Sequence, residues 1–231
     1  IDWSVGEIQK ALHDNGLEDN TIFIFTTDNG PWLNFGNHAG SSGGLREGKT
    51  TSWEGGQRVP CIVKWPGIVP EGVVCNKLAS SIDILPTVAS IVGGNLSDNK
   101  IDGVDITDLW KGRTDVEPRK NLYYYFGVNN LNAVRKGNWK LVFPHTYQSY
   151  EATVPGNDGY GGRRINIQVD SLELYNLMRD PGERYNVIDL YPEILEELLE
   201  VGDGARAKLG DLNSGLEKGA ENREIGHLRE H

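Results

Sequence analysis

Residues 21–60 have the sequence TIFIFTTDNGPWLNFGNHAGSSGGLREGKTTSWEGGQRVP and hold the strongest structural signal in the chain. The apolar run at 22–25 is β-branched and aromatic and lacks polar alternation. Such a run is typical of a strand buried on both faces, as in a helix-covered parallel sheet. The polar residues TTDNG follow at once, so Asp28 and Asn29 are predicted to lie at the carboxyl end of the strand. Ligand crevices of open α/β sheets form at that edge.

Asp28 and Asn29 offer two hard oxygen donors side by side. Such donors suit Ca²⁺ or Mg²⁺ rather than a thiol-preferring metal. Calcium takes about six to eight oxygen ligands, so substrate, water or other parts of the protein would have to supply the rest. The tripeptide Asp-Asn-Gly is also typical of a simple turn after a strand. The tripeptide alone leaves both interpretations open.

A longer series of motifs carries a family resemblance. In chain order its blocks are DNG at 28–30, GKTTSWEGGQRVP at 48–60, WPG at 65–67, SSIDILPT at 80–87, DGVD at 102–105, ELYNL at 173–177 and DPGE at 180–183. This series resembles the formylglycine-dependent sulfatases (arylsulfatases), which are sulfuric ester hydrolases of the alkaline-phosphatase-like superfamily. The blocks extend over most of the chain in one consistent order, and they match the C-terminal half of that family.

The resemblance implies roles for three residues of the first two blocks. Asp28 and Asn29 would complete a divalent-cation site, with Ca²⁺ expected and Mg²⁺ as the alternative. Lys49 would contact the sulfate, since a compact ammonium can neutralise charge on a non-bridging sulfate oxygen. The alternative for Lys49 is a solvated surface residue, which is the usual state of a loop lysine.

His38 lies in the glycine-bounded segment GNHAG between these two blocks. It could donate a hydrogen bond to sulfate or to a sugar hydroxyl, or it could protonate a leaving group. A hydrogen-bonded polar loop residue without contact to substrate is the alternative. Glu54 and Arg58 are predicted to brace the loop rather than to react.

Composition excludes two kinds of partner. The 231 residues carry a formal net charge of −10, whereas nucleic-acid binding rests on clustered Lys and Arg. No apolar run approaches the length of a membrane span. An anionic ester would therefore bind through a local cationic pocket, which a metal ion and Lys49 would provide.

The first residues, from Ile1, lie inside an apolar pattern of helical spacing that predicts a helix over 2–16. We therefore expect a preceding portion of the same protein as the partner of this chain. The resemblance implies that this portion carries the Cys/Ser-x-Pro-x-Arg segment converted to formylglycine and the paired aspartates that open the metal site. Neither Cys61 nor Cys75 lies in such a motif. This chain alone is expected to be catalytically incomplete.

The fold class predicted from these patterns is α/β. Residues 1–115 are expected to form the C-terminal portion of the catalytic domain, with part of a helix-covered mixed or parallel sheet of alkaline-phosphatase-like type. A strand at 61–65 and a helix at 83–92 belong to this region. The charged, proline-containing run at 111–121 marks its end.

Residues 116–209 are predicted to form a small α+β subdomain. Its antiparallel sheet of about four strands is expected at 122–126, 131–135, 138–143 and 172–177, and its helix begins at Pro192. The glycines at 202 and 204 weaken the predicted end of this helix. Residues 210–231 are predicted to be an extended or disordered tail.

Two features of this subdomain suggest substrate recognition. The loop predicted at 144–168 is long, and loops of that length are commonly functional or mobile. Arg163 and Arg164 within it are candidates for binding a second anionic group of the substrate. Aromatic residues could stack on sugar rings, although such residues more often form the core of a small sheet. They are Tyr123–Phe126, Trp139, His145, Tyr147 and Tyr150.

Three functions are compatible with the sequence. The first is a sulfatase of a sulfated small molecule, with a sulfated carbohydrate favoured. The second is a phosphate or phosphonate ester hydrolase on the same scaffold, and the third is a non-catalytic glycan-binding fragment. By resemblance the protein would act in the periplasm, the lysosome or secreted space. In such a compartment Cys61 and Cys75 could pair, although two free buried thiols are equally compatible.

Overall fold

The computed structural model describes residues 1–96, 100–151 and 153–221. They form two compact units. The first comprises Ile1–Thr27 and Pro60–Lys120, and the second comprises Asp28–Val59 together with the described part of Asn121–His231. The sequence predicted residues 28–59 within a domain spanning 1–115, whereas in the structure they belong to the same unit as the C-terminal sheet.

The helices and strands follow one another in a mixed order. The α-helices are α1 (Asp2–Asp14), α2 (Glu54–Gln57), α3 (Ile84–Val92), α4 (Thr107–Trp110) and α5 (Pro192–Leu209). The strands are β1 (Phe23–Thr26), β2 (Cys61–Lys64), β3 (Asn121–Phe126), β4 (Asn130–Lys136), β5 (Trp139–Val142), β6 (His145–Ser149), β7 (Ile165–Val169) and β8 (Glu173–Asn176). Short 3₁₀ segments occur at Glu18–Asn20, Leu33–His38, Ser81–Asp83, Ile188–Leu190 and Leu212–Ser214.

In the first unit, β1 and β2 pair in antiparallel orientation, with Phe23 opposite Lys64 and Thr26 opposite Cys61. The first three residues of β1 are half-buried, and its last residue, Thr26, is exposed. The described residues of β1 thus do not show a strand buried on both faces of a parallel sheet, while the antiparallel pair is compatible with the predicted mixed sheet. A continuous apolar run indicates that a strand can be buried, but it does not indicate the direction or number of its neighbours.

Helix α3 forms where the sequence predicts it. Ser80 and Asp83 make a capping box at the start of the 3₁₀ segment that leads into it. Asp83 occupies the N-cap position of α3 without a side-chain cap bond to that helix, and Gly93 ends the helix with a φ of 64°. Asp83 is fully buried and accepts hydrogen bonds from Arg119 Nε and from the backbone N of Val104, both at 2.8 Å. These bonds attach the DGVD block to the start of the helix.

In the second unit, β3, β4, β5 and β8 form one antiparallel sheet in that order, which confirms the predicted four strands. A β-bulge interrupts the first pair, because Tyr124 lies opposite Ala133 while Tyr125 lies opposite Leu131. Asn132 is therefore an extra residue. It is buried, and its Nδ2 donates to Ser52 Oγ at 3.1 Å.

Helix α5 packs on one face of this sheet and begins with Pro192 as predicted. It continues through Gly202 and Gly204 instead of ending near them. Gly202 is buried against Phe143, and a Cβ there would lie 2.6 Å from the ring. Close helix–sheet packing thus outweighs the low helix propensity of glycine. The cluster on this face comprises Leu131, Val134, Leu141, Phe143, Leu174, Leu198 and Ala205.

The predicted loop at 144–168 contains two strands. β6 and β7 form an antiparallel hairpin, with His145 opposite Val169 and Ser149 opposite Ile165. The burial of β6 alternates strictly, but two of its buried residues, His145 and Ser149, are polar, and its connection to β7 is rich in glycine. Hydrophobicity therefore does not follow the two-residue period of burial in β6. The buried side chains of Tyr124, Tyr147 and Tyr150 confirm the core interpretation of these aromatic residues.

The residues after α5 return to the sheet. Asp211 is buried, and its carboxylate accepts hydrogen bonds from the backbone N of Leu131 at 3.1 Å and from Arg206 Nε at 3.0 Å. The sequence predicted an extended or disordered tail over 210–231, whereas residues 210–221 are tied to the sheet. Residues 222–231 lie outside the described residues.

Candidate active site

The predicted site residues all lie in the second unit, on three segments. Asp28, Asn29 and His38 belong to residues 28–38, here named the aspartate segment, and Lys49 belongs to residues 46–56, here named the lysine segment. Arg163 and Arg164 lie in the connection between β6 and β7.

Backbone hydrogen bonds join the aspartate and lysine segments. Gly30 N donates to Gly56 O, and Lys49 N donates to Pro31 O, both at 2.9 Å. A Cβ at Gly30 would lie 1.8 Å from Gly55 O, so the close approach of the two chains requires glycine there. The structure therefore brings the Asp-Asn-Gly turn and the backbone of Lys49 together.

The side chains of Asp28 and Asn29 are chemically suited to an oxygen-preferring cation. Asp28 is exposed and Asn29 is half-buried. A carboxylate and an amide on one turn are the donors that Ca²⁺ and Mg²⁺ prefer. Among residues 1–96, 100–151 and 153–221, no group of three or more His, Cys, Asp or Glu side chains could hold a metal ion. Asp28 and Asn29 would thus supply part of a ligand set rather than all of it.

Lys49 is half-buried, and its Nζ lies 5.3 Å from the centroid of the Trp32 ring. Two nearby residues have left-handed backbones, Glu47 with a φ of 59° and Thr50 with a φ of 73°. Such a conformation costs a non-glycine residue about 1–3 kcal/mol and persists only where the surroundings impose it. The surrounding structure therefore imposes the conformation of the loop that carries Lys49.

A buried ion-pair network anchors the lysine segment. Lys140 Nζ lies 2.7 Å from Glu183 Oε1 and 3.3 Å from Glu54 Oε1, and all three side chains are almost completely buried. Lys140 also donates to Ser52 O at 2.7 Å, and Glu183 Oε2 accepts from the backbone N of Glu54 at 2.6 Å. These bonds connect the lysine segment to β5 and to the turn that contains Glu183.

Glu54 also forms ion pairs with two arginines. Arg135 Nη1 and Arg58 Nε lie 3.1 Å and 3.0 Å from its Oε2. Burial opposes ionisation of Glu54, but the charges of Lys140 and Arg135 outweigh burial and lower its pKa. Burial raises the pKa of Glu183 despite the nearby Lys140. The contact between Glu54 and Arg58 confirms that these residues brace the loop, as predicted from the sequence.

Trp53 is the hydrophobic anchor of the lysine segment. Its side chain is 1% exposed, and the Arg46 guanidinium carbon lies 3.5 Å from the ring centroid. Tyr147 and Tyr175 contact the ring edge-on, with centroid distances of 5.6 Å and 5.9 Å. Burial of an aromatic ring of this size against other rings contributes strongly to packing.

The remaining predicted site residues differ in exposure. His38 is exposed at the end of the 3₁₀ segment Leu33–His38, and Arg163 is also exposed. Arg164 is half-buried, and its Nη1 donates to Thr50 Oγ1 at 2.9 Å. Of the two arginines, Arg164 thus contacts the residue that follows Lys49.

Sequence reasoning missed Lys140, Glu183, Glu47 and Tyr150 as residues that support the lysine segment. A weak signal existed for two of them. Lys140 interrupts the apolar strand WKLV, and Glu183 closes the DPGE block. No local pattern indicates that these residues meet the lysine segment.

Other sequence-level alternatives are resolved by the structure. Cys61 and Cys75 are both exposed and form no disulfide. None of the helices in the described part of the chain is both long enough and apolar enough to cross a membrane.

Comparison with protein families agrees with this arrangement. The sulfatase family model matches residues 1–94, and the model for the C-terminal region of aryl-sulfatase matches residues 117–226. The C-terminal model of N-sulphoglucosamine sulphohydrolase matches residues 48–154. The matches to the two sulfatase models follow one another along most of the chain, which therefore resembles the C-terminal half of a sulfatase.

Individual relatives show which part of a sulfatase this chain resembles. Arylsulfatase A of Bos taurus is 37% identical over 204 residues, which cover 87% of this chain and 40% of the relative. N-acetylgalactosamine-6-sulfatase of Canis lupus familiaris is 36% identical, with 87% of this chain and 40% of the relative covered. The chain therefore spans about two fifths of the length of these relatives.

A solved sulfatase structure from a Pseudoalteromonas species superimposes on the chain with a TM-score of 0.73 and 27% identity. The aligned region comprises 87% of this chain and 40% of that protein. This similarity supports an alkaline-phosphatase-like fold. The chain itself contributes a mixed α/β structure with antiparallel sheets and a C-terminal helix.

Proposed function

We propose that the intact protein hydrolyses sulfate esters and that this chain supplies Lys49 for sulfate binding and Asp28 and Asn29 as metal ligands. The observation that carries the proposal is the pair of backbone hydrogen bonds that joins the aspartate and lysine segments. The matches to sulfatase family models and the sulfatase activities named for the relatives support it.

Lys49 would act on the charge of the sulfate group. Its ammonium would bind a non-bridging oxygen and stabilise the negative charge that shifts during cleavage of the ester bond. The cation held by Asp28 and Asn29 would supply additional positive charge to the sulfate oxygens. These local charges are needed because the chain as a whole carries a net charge of −10.

The N-terminal portion of the same protein is the proposed partner. The first unit exposes large apolar side chains, with Trp3 at 75%, Ile8 at 52% and Ile62 at 62% exposure. The formylglycine expected in the missing portion would supply the nucleophile. Expression of this chain alone is expected to give no sulfatase activity. The preceding portion is expected to restore turnover and to protect Trp3 from fluorescence quenchers.

The test of the sulfatase proposal is steady-state kinetics of the intact protein on an aryl sulfate and on the matching aryl phosphate. Lys49→Ala is expected to lower kcat by about 10²–10³-fold, as for loss of one charge-stabilising donor. Lys208→Ala, an exposed substitution on α5, is the control and should leave kcat unchanged. Preference for the phosphate would overturn the proposal in favour of a phosphate or phosphonate ester hydrolase.

The metal role has a separate readout. Asp28→Ala is expected to reduce the calcium or magnesium bound per protein, measured by elemental analysis after dialysis. Asp19→Ala, which removes an exposed carboxylate outside the aspartate segment, should leave the metal content unchanged. Equal metal content in Asp28→Ala, Asp19→Ala and the unmodified protein would remove Asp28 from the proposed ligand set.

A sulfated carbohydrate is the proposed substrate class. A groove of about 280 Å³ lies beside Thr50 and is lined by Phe126, Gln148, Arg164 and Asn166, among others. Phe126 is 40% exposed, so the groove combines an aromatic ring with hydroxyl, amide and guanidinium groups. Such a lining suits a sugar with a second anionic group. One relative is named for a sulfated sugar, N-acetylgalactosamine 6-sulfate.

The arginines test this substrate assignment. Arg164→Ala is expected to raise KM for a disulfated sugar more than KM for an aryl sulfate, because only the disulfated sugar loses a direct contact in addition to the support of Thr50. Arg163 is proposed as a weaker contact, so Arg163→Ala should have a smaller effect in the same direction. Equal losses on both substrates would indicate that Arg164 supports the loop and does not recognise an anion.

His38 is proposed as a hydrogen-bond donor to the substrate and a candidate proton donor to the leaving group. Its exposed position permits either role. His38→Gln retains a hydrogen-bond donor but cannot transfer a proton, so it separates the two roles. The proposed location outside the cytoplasm rests on the family resemblance, and cell fractionation would test it.

A further inference from the structure

We propose that Tyr150 and Glu47 form a clamp that positions Lys49; this inference rests on the sulfate-binding role proposed for Lys49. The Tyr150 hydroxyl donates to the carbonyl oxygen of Lys49 at 2.6 Å. The backbone N of Tyr150 donates to Glu47 Oε2 at 2.8 Å. One buried residue at the end of β6 therefore contacts Lys49 itself and the residue two positions before it.

Glu47 is fixed by this contact. Its carboxylate is buried and accepts a second hydrogen bond from Ser149 Oγ. Both carboxylate oxygens are thus bound by consecutive residues of the β6–β7 hairpin. Because both of its carboxylate oxygens are hydrogen-bonded, the Glu47 side chain restrains its own backbone, which explains how Glu47 keeps a φ of 59°.

Thr50 is held by the same hairpin on the other side of Lys49. Its Oγ1 accepts a hydrogen bond from Arg164 and lies 3.5 Å from the Tyr150 hydroxyl. Thr50 is β-branched and has a φ of 73°, which is rare for such a residue. The two strained backbones near Lys49 are therefore the two whose side chains the hairpin binds. Release of the hairpin contacts would let both backbones relax and would move Lys49.

Tyr150 is assigned as a positioning residue, because it binds the backbone of Lys49 rather than the substrate. Tyr150→Phe removes only the hydroxyl and keeps the buried ring. Tyr125→Phe is the matched control, since the Tyr125 hydroxyl also donates to a backbone carbonyl oxygen, that of Gly210 at 2.7 Å, outside the lysine segment. Ser149→Ala, which removes one hydrogen bond to Glu47, is a milder second variant with the same expected direction.

The experiment combines kinetics with hydrogen exchange on the intact protein. Tyr150→Phe is expected to lower kcat/KM for an aryl sulfate by about 10–100-fold, as for a small misplacement of a catalytic group. In a Lys49→Ala background the same change should have almost no further effect. The amides of residues 48–51 should exchange faster in Tyr150→Phe than in Tyr125→Phe or the unmodified protein.

The outcomes separate the clamp from the proposed function. Full additivity of Tyr150→Phe and Lys49→Ala would overturn the clamp, and so would unchanged exchange of residues 48–51. If Lys49→Ala leaves turnover unchanged, the sulfate-binding role of Lys49 fails. Faster exchange in Tyr150→Phe and Ser149→Ala would still show that the hairpin fixes this loop.

Discussion

The aspartate and lysine segments carry the predicted site residues in different surroundings. In the lysine segment, residues 51–56 are all buried, and Trp53 and Glu54 are fixed by aromatic and ionic contacts. In the aspartate segment, Asp28 and His38 are exposed. This difference indicates that buried contacts within the chain fix the lysine segment before substrate binds. The aspartate side is attached through the backbone bonds of residues 30 and 31 and through buried Asn34, whose carbonyl oxygen accepts hydrogen bonds from the backbone N of Gly156 and of Gly162.

The largest expected effect is loss of the buried ion-pair network beneath the lysine segment. Lys140→Met leaves Glu54 and Glu183 buried without their shared cation, so we expect the free energy of unfolding to fall by about 3–5 kcal/mol. Urea denaturation of the intact protein measures this. Lys136→Met is the control, because Lys136 pairs with Glu197 at the surface and should cost less than about 1 kcal/mol. Equal losses in the two variants would contradict the contrast between the segments.

The second prediction concerns the junction between the segments. Gly30→Ala would place a Cβ 1.8 Å from Gly55 O, and we expect a loss of about 1–3 kcal/mol from the forced shift. Bound metal should fall as well, because Asp28 lies two residues away. Gly204→Ala in α5 meets no atom within 4 Å and should stabilise the protein by up to about 1 kcal/mol. Thermal unfolding compares the two, and an equal response would show that the junction tolerates side chains.

A third prediction uses pH to examine the lysine segment. Burial raises the pKa of Glu47 above its ordinary value of 4.5. Hydrogen bonds from Ser149 and Tyr150 and the charge of Arg46 oppose this rise, whereas the charge of Glu151 adds to it. The folded protein then holds this proton more tightly than the unfolded chain. The free energy of unfolding therefore falls as pH rises from 4.5 through the raised pKa.

Glu47→Gln removes this titration. The stability of the variant relative to the unmodified protein should increase as pH rises through that window and then level off. Urea denaturation at several pH values measures the difference. Glu197→Gln at the surface is the control, and a parallel pH dependence in both variants would rule out the contribution of Glu47.

The smallest expected effect lies in the aspartate segment. Asn37 Oδ1 accepts a hydrogen bond from the backbone N of Asp158 at 3.1 Å, and both residues are exposed. Asn37→Ala should change the free energy of unfolding by about 0.5 kcal/mol or less, as is usual for surface substitutions. A loss as large as that of Lys140→Met would show that the exposed segment is as strongly coupled to the core as the lysine segment.

The sequence predicted well those elements whose signal is local. The helix after Asp83, the strands of the four-stranded sheet and the helix that begins at Pro192 all follow from periodicity and capping residues. The antiparallel partner of β1 was not predictable, because the apolar run is the same for either orientation. The β6–β7 hairpin was missed because two buried positions of β6, His145 and Ser149, are polar, so that strand lacks an apolar period.

For the site, motif resemblance indicated Asp28 and Lys49, and the structure joins their segments through backbone bonds. The motif resemblance did not indicate Lys140 or Tyr150. These residues lie about 90 to 100 positions from the atoms they bind, and they act through burial and hydrogen bonding that no short pattern records. Their roles required the fold.

The bulge at Asn132 has a consequence for how this architecture can vary. On either side of it, Leu131 and Ala133 face opposite clusters, so β4 contains one residue more than its pairing with β3 requires. That residue reaches Ser52 with its side chain, and its carbonyl oxygen accepts a hydrogen bond from the backbone N of Phe143 at 2.8 Å. Deletion of a single codon would therefore remove a tether of the loop together with a bond that continues the pairing of β4 with β5. Loop anchoring and sheet pairing thus depend on the same inserted residue.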